Sequence, residues 1–145
     1  MRYLVPIHSL KAVINPLDGA MWQVDPIDPD EVRAAAGSGE VCDRSWAEMQ
    51  AANLPREMHR TYHILRLAWL LKAPPNAEDE HKIMLCVSAD RTCFLDGNHR
   101  AAAAIVRGDD LIELFISSSN EVDLDTLFPG IRPIPPATEG EAGIS

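Results

Sequence analysis

Phe94-Leu95-Asp96-Gly97-Asn98-His99-Arg100 runs directly into Ala101-Ala102-Ala103-Ala104-Ile105-Val106-Arg107-Gly108. With Thr92 and Cys93, the first two residues read as a short strand. Asp96-Gly97-Asn98 breaks it. Residues 99–107 are strong helix formers, and Gly108 closes the helix. A strand that turns straight into a helix presents unpaired N–H groups and the positive end of the helix dipole at the turn. Gly97 permits a tight turn and leaves room for a ligand. His99 and Arg100 add a ring donor and a guanidinium fork suited to phosphate oxygens. Local chemistry therefore predicts an anion cradle. It is equally consistent with a helix capped by Asp96 or Asn98, with His99 and Arg100 making surface hydrogen bonds. The four alanines predict close packing of this helix on a sheet.

The flanks supply that sheet. Residues 82–87 form an apolar run, 88–91 a hairpin turn, and 92–95 its return strand. Residues 111–116 read as the next strand and residues 3–7 as the first. Between about residues 8 and 30, Asn15-Pro16, Asp25-Pro26 and Asp28-Pro29 predict a loop or irregular arm. Asp28 or Pro29 opens a helix through Ala36 that Gly37 ends. Residues 45–52 form another short helix. The clearest helix spans 55–72, with Pro74-Pro75 stopping it. Met58, Tyr62, Leu65, Trp69 and Leu70 form its apolar stripe. Arg56, His59, Arg60, His63 and Arg66 form a basic stripe beside it, either solvated and paired with nearby acids or facing an anionic partner. An acidic linker covers residues 76–80, and residues 121–128 add one helical turn. The tail from Pro129 holds four prolines and three glycines. The pattern predicts an α+β fold, a small mixed sheet with packed helices, as a single domain over residues 1–130. Residues 131–145 are expected to be an irregular or disordered tail.

At 145 residues the chain is long enough for one real core. Its 46% hydrophobic and 24% charged content is ordinary for a soluble protein. No stretch approaches the roughly 18 apolar residues of a membrane span, and the N-terminus lacks a signal-peptide core, so a cytoplasmic location is expected. A net charge of −9 argues against non-specific DNA binding, which relies on a basic footprint. Cys42, Cys86 and Cys93 form no C-x-x-C spacing, which argues against a zinc site or a disulfide framework. Cys86 and Cys93 sit in apolar runs, where thiols usually behave as small buried hydrophobes. His59 and His63 have a metal-compatible spacing but no third ligand in sight, so no metal site is predicted. No P-loop, G-x-G-x-x-G or G-x-S-x-G occurs.

Residues 83–116 resemble the ParB/sulfiredoxin superfamily in the order hydrophobic strand, turn, Phe94-Leu95-Asp96-Gly97-Asn98-His99-Arg100, Ala-rich helix, Gly108, hydrophobic strand. Residues 3–7 loosely resemble that family's first strand. The likeness covers about a third of the chain, and residues 10–80 lie outside it. It implies nucleotide handling, with ATP, ADP or CTP phosphates at the helix start and Mg2+ as a companion ion. Carried over, Gly97, His99 and Arg100 fall on the phosphate-contacting turn, with Asn98 inside it. Asp96 falls on the acidic position before it, and Asp96 and His99 become the catalytic candidates. Asn98 occupies the place of the sulfiredoxin cysteine, which excludes that chemistry. ParB clamps carry a long helical DNA-reading region after this core, whereas about thirty residues follow Ile116 here, so operator-DNA binding is not expected.

The resulting expectation is a nucleotide-binding domain that hydrolyses the nucleotide or transfers its phosphoryl group. Such chemistry needs a general base, for which Asp18, Asp25, Asp28 and Glu31 are candidates. The alternatives are a non-enzymatic interaction or inhibitor module of plasmid, phage or defence origin, bound to a protein partner, and a ParB-like nuclease or DNA-binding protein.

Overall fold

The computed structural model describes residues 1–72 and 82–135. The chain opens with β1 (Arg2–Pro6) and passes at once into α1 (Ile7–Val13). Single 3-10 turns follow at Pro16–Asp18 and Ala20–Trp22, then α2 (Pro29–Ser38) and α3 (Trp46–Ala51). A 3-10 turn at Arg56–Met58 leads into α4 (His59–Lys72). Beyond it lie β2 (Met84–Val87), β3 (Thr92–Asp96), α5 (Asn98–Arg107), β4 (Leu111–Ser118), α6 (Leu124–Leu127) and β5 (Arg132–Ile134). The fold is α+β: six α-helices and a mixed sheet among the described residues. The expected linker at residues 76–80 and the Pro74-Pro75 stop lie outside the described residues.

The sheet order is β3-β2-β4-β1-β5. β2 and β3 form the expected hairpin, closed where the Ser88 N–H donates to the Arg91 carbonyl at 2.9 Å. β4 returns parallel to β2, with Leu85 opposite Ile116, and antiparallel to β1, with Val5 opposite Ile112. Along β4, Ile112, Leu114 and Ile116 are buried while Leu111 and Glu113 are exposed. That alternation puts one sheet face against the helices and leaves the other open. The core joins Val5, Leu85, Val87, Ile112 and Leu114 to Val32 of α2, Leu67 and Ala68 of α4, and α5. α5 is buried at every residue from Ala101 to Val106. Alanine makes this feasible, because a helix enclosed on all sides must have small side chains where backbones approach.

Several sequence expectations are corrected. Residues 8–13 are helical rather than irregular, and Ile7, expected to end the first strand, opens that helix. Ile7 and Leu10, three apart, bury themselves, whereas the helix has no side-chain cap to announce it. α2 passes through Gly37 and ends at Gly39, whose φ of 83° supplies the left-handed cap. On α4 the buried residues are Tyr62, His63, Leu67, Ala68 and Leu70, while Met58 is exposed. The buried face is therefore rotated into the expected basic stripe. Residues 132–134, assigned to the tail, form an edge strand on β1, and Ile131 enters the core. Pro133 is tolerated there because an edge strand has one side without ladder bonds. Among the described residues, no helix is long and apolar enough to cross a membrane.

Candidate functional site at the start of α5

β3 delivers the chain to Asp96, where Gly97 takes φ +78° and becomes the N-cap of α5. No side chain among the described residues caps the helix. The Asp96 carboxylate instead accepts the Gly97 N–H at 2.8 Å. The first intrahelical bond runs from the Ala101 N–H to the Gly97 carbonyl at 3.0 Å. The amides of Asn98, His99 and Arg100 are thus the donors that helix geometry leaves without an intrahelical acceptor. Capping by Asp96 or Asn98, the competing explanation of this stretch, is not what the structure has.

Gly97 is required for a second reason. A Cβ there would lie 2.8 Å from the Ile83 Cα and 3.0 Å from the Lys82 carbonyl oxygen. The space that the missing side chain leaves is filled by the approach to β2, not by an opening for a ligand.

His99 does not face outward as a phosphate donor. Its Nε2 lies 2.8 Å from Nδ1 of His63, which is fully buried on α4. Trp22 stacks on both imidazoles, with centroids 4.5 Å from His63 and 4.8 Å from His99. Tyr62 meets the His99 ring edge-on at 6.1 Å, and Trp46 lies 5.1 Å from the His63 ring. Burial, reinforced by the neighbouring histidine and by Arg66, pushes the His99 pKa down to about 3. Burial and then His59 push that of His63 down to about 4. Both rings are therefore neutral near neutral pH, and one N–H is shared between the facing nitrogens. His63 Nε2 and Trp22 Nε1 are buried without a hydrogen-bond partner among the described residues.

The pairing of His63 with His99 also sets α4 beside the start of α5. Arg66 lies one turn beyond His63, packed over Trp69 with its guanidinium 4.6 Å from the ring centroid. Its Nη1 is buried without a partner among the described residues. Burial lowers the pKa of Arg100, and the charge of Arg66 lowers it further. The site thus joins two guanidiniums from different helices to an uncapped helix N-terminus. Each of these features favours an anion.

The rest of the basic stripe is engaged in structure. Arg60 holds Glu31 at 2.6 and 3.1 Å and donates to the Pro26 carbonyl at 2.7 Å. Arg56 donates to the Gln23 carbonyl, and His59 meets the Leu54 carbonyl at 3.1 Å. One ring nitrogen of His59 and one of His63 therefore meet different partners. The carboxylates of three candidate bases, Asp28, Glu31 and Asp18, are engaged too. Asp28 caps α2 and Glu31 completes its capping box. Asp18 accepts the Ala20 N–H at 2.8 Å, and Asp25 offers its backbone carbonyl to Arg60.

An open depression of about 640 Å³ lies at the β2–β3 turn, at the far end of β3 from Gly97. Its polar lining closes local structure. Ser88 and Arg91 form the turn, and Asp123 caps α6.

Sequence reasoning located the turn at residues 96–100 but missed Trp22, Trp46 and Tyr62. Trp22 lies in the stretch expected to be irregular, and nothing local ties it to His99. No family model, curated protein or solved structure matches this chain.

Proposed function

We propose that this chain binds a nucleotide through its phosphates at the start of α5. The observation that carries the reading is the N-terminus of α5, which no side chain among the described residues caps, flanked by Arg100 and by the buried Nη1 of Arg66, which has no hydrogen-bond partner among the described residues. The backbone amides of Asn98, His99 and Arg100 supply directed donors, and the two guanidiniums supply charge. The resemblance of residues 83–116 to ParB/sulfiredoxin domains supports a nucleotide, ATP, ADP or CTP, over other anions. Asp96, exposed beside the turn, is the carboxylate that would meet a Mg2+ carried with the phosphates. The His99 ring serves to position the helix rather than to carry protons, since its Nε2 is engaged by His63 and burial keeps it neutral. Hydrolysis or phosphoryl transfer therefore needs a base other than His99, with Asp96 the candidate at the turn.

Isothermal titration with ATP, ADP, CTP and GTP, with and without Mg2+, tests the reading. Charge-assisted hydrogen bonds contribute roughly 1.5–3 kcal/mol, so Arg100→Ala and Arg66→Ala should each weaken binding by about tenfold or more. Absence of binding by the wild type refutes the proposal, as does unchanged affinity in both variants.

A further inference from the structure

Cys86 of β2 and Cys93 of β3 are direct cross-strand partners in the antiparallel hairpin. Opposite residues in such a pair project to the same sheet face. Leu85 and Val87, on either side of Cys86, point into the core. Cys86 therefore lies on the open face, and Cys93 lies there with it. Both are free thiols and both are partly exposed, unlike the buried thiols expected from their apolar runs. Facing residues of an antiparallel pair have Cα atoms about 4.5–5.5 Å apart, within the range that a disulfide spans. Arg91 donates a guanidinium N–H toward the Cys93 sulfur at 3.9 Å.

We propose that Cys86 and Cys93 form a reversible cross-strand dithiol–disulfide site, oxidised by a low-molecular-weight disulfide such as oxidised glutathione. The Cys93 thiolate attacks one sulfur of that disulfide, forming a mixed disulfide and expelling one glutathione thiolate. The Cys86 thiolate then attacks the Cys93 sulfur and expels the second. Two protein thiols lose two protons and two electrons, and the glutathione disulfide is reduced to two thiols. The bond joins edge strand β3 to β2, and β3 is the strand that leads into the Gly97 turn. Cys42 lies outside the sheet, where its N–H bonds the Leu65 carbonyl of α4, so it takes no part in the pair.

The test incubates the folded full-length chain with oxidised glutathione, alkylates the remaining thiols and digests with trypsin. Cleavage after Lys82, Arg91 and Arg100 leaves residues 83–91 and 92–100 as separate peptides. Oxidation should join them, with Cys42 alkylated and the intact protein lighter by two hydrogens. Dithiothreitol should separate them again. Cys86→Ser should instead trap glutathione on Cys93. Stable glutathione adducts on wild-type Cys86 and Cys93 without a linked peptide overturn the proposal. So does a product linked through Cys42.

Discussion

Acidification should unfold this protein earlier than its carboxylates alone require, and the cause is the buried pair His63 and His99. In the folded chain their pKa values are about 4 and about 3, against 6.5 for an unperturbed imidazole. Because the folded values are depressed, the stabilisation is fully present above the unfolded pKa and is lost as pH falls toward the folded values. At about pH 5 neither ring is charged in the folded protein, whereas both are largely protonated in the unfolded chain. The gap of about 1.5 pH units below the unfolded pKa costs about 2 kcal/mol per histidine, or about 4 kcal/mol for the pair. That is a large share of the roughly 5–15 kcal/mol by which domains are stable. Glu31 and Glu48 also have lowered pKa values, with hydrogen bonding as the leading cause. Their stabilisation begins to fall only near and below 4.5, so the window above about pH 5 belongs to the histidines. Urea unfolding followed by circular dichroism, in steps from about pH 7.5 to pH 5, measures the effect. With an m-value of about 2 kcal/mol per molar, the midpoint should fall by about 2 M. A His63→Leu/His99→Leu double variant that still folds should lose most of this slope. A wild-type stability that is flat over the window refutes the reasoning, as does an equal slope in the double variant.

Two further substitutions test the scaffold of the site. Gly97→Ala imposes a left-handed conformation on a residue with a Cβ and drives that atom to 2.8 Å from the Ile83 backbone. It should cost about 2–4 kcal/mol by urea unfolding. Gly108→Ala shares the positive φ but meets open space, so it should cost only about 1–2 kcal/mol; equal losses would discount the Ile83 contact. Phe128→Ala removes the largest fully buried side chain among the described residues and should cost about 3–5 kcal/mol by the same assay. A loss under about 1 kcal/mol would show that residues 128–134 do not hold the core together.

The turn at residues 96–100 was legible because its signals are local. Apolar alternation marks a strand, Asp-Gly-Asn interrupts it, and an alanine run followed by glycine marks a helix and its end. The same logic recovered the hairpin at Ser88–Arg91, the short helix α3 and the α+β class. It failed where order comes from partners distant in sequence. α1 is a helix of seven residues without a capping side chain, made stable by burying Ile7 and Leu10. β5 exists because β1 offers it an edge, which no pattern within residues 131–135 could reveal.

The site divides in the same way. Sequence alone placed glycine, asparagine, histidine and arginine at a helix start, which is enough to predict unpaired amides and positive charge there. Only the tertiary structure decided the role of each side chain. It turned His99 inward to His63 and Trp22, brought Arg66 to Arg100, and assigned most of the basic stripe to carbonyls and Glu31. It also set Cys86 opposite Cys93 on an open sheet face, where the apolar runs alone suggested buried thiols. The physical reason is range. Backbone preference and periodicity act over a few residues, whereas burial, pairing and charge are set by which distant segments the core brings together.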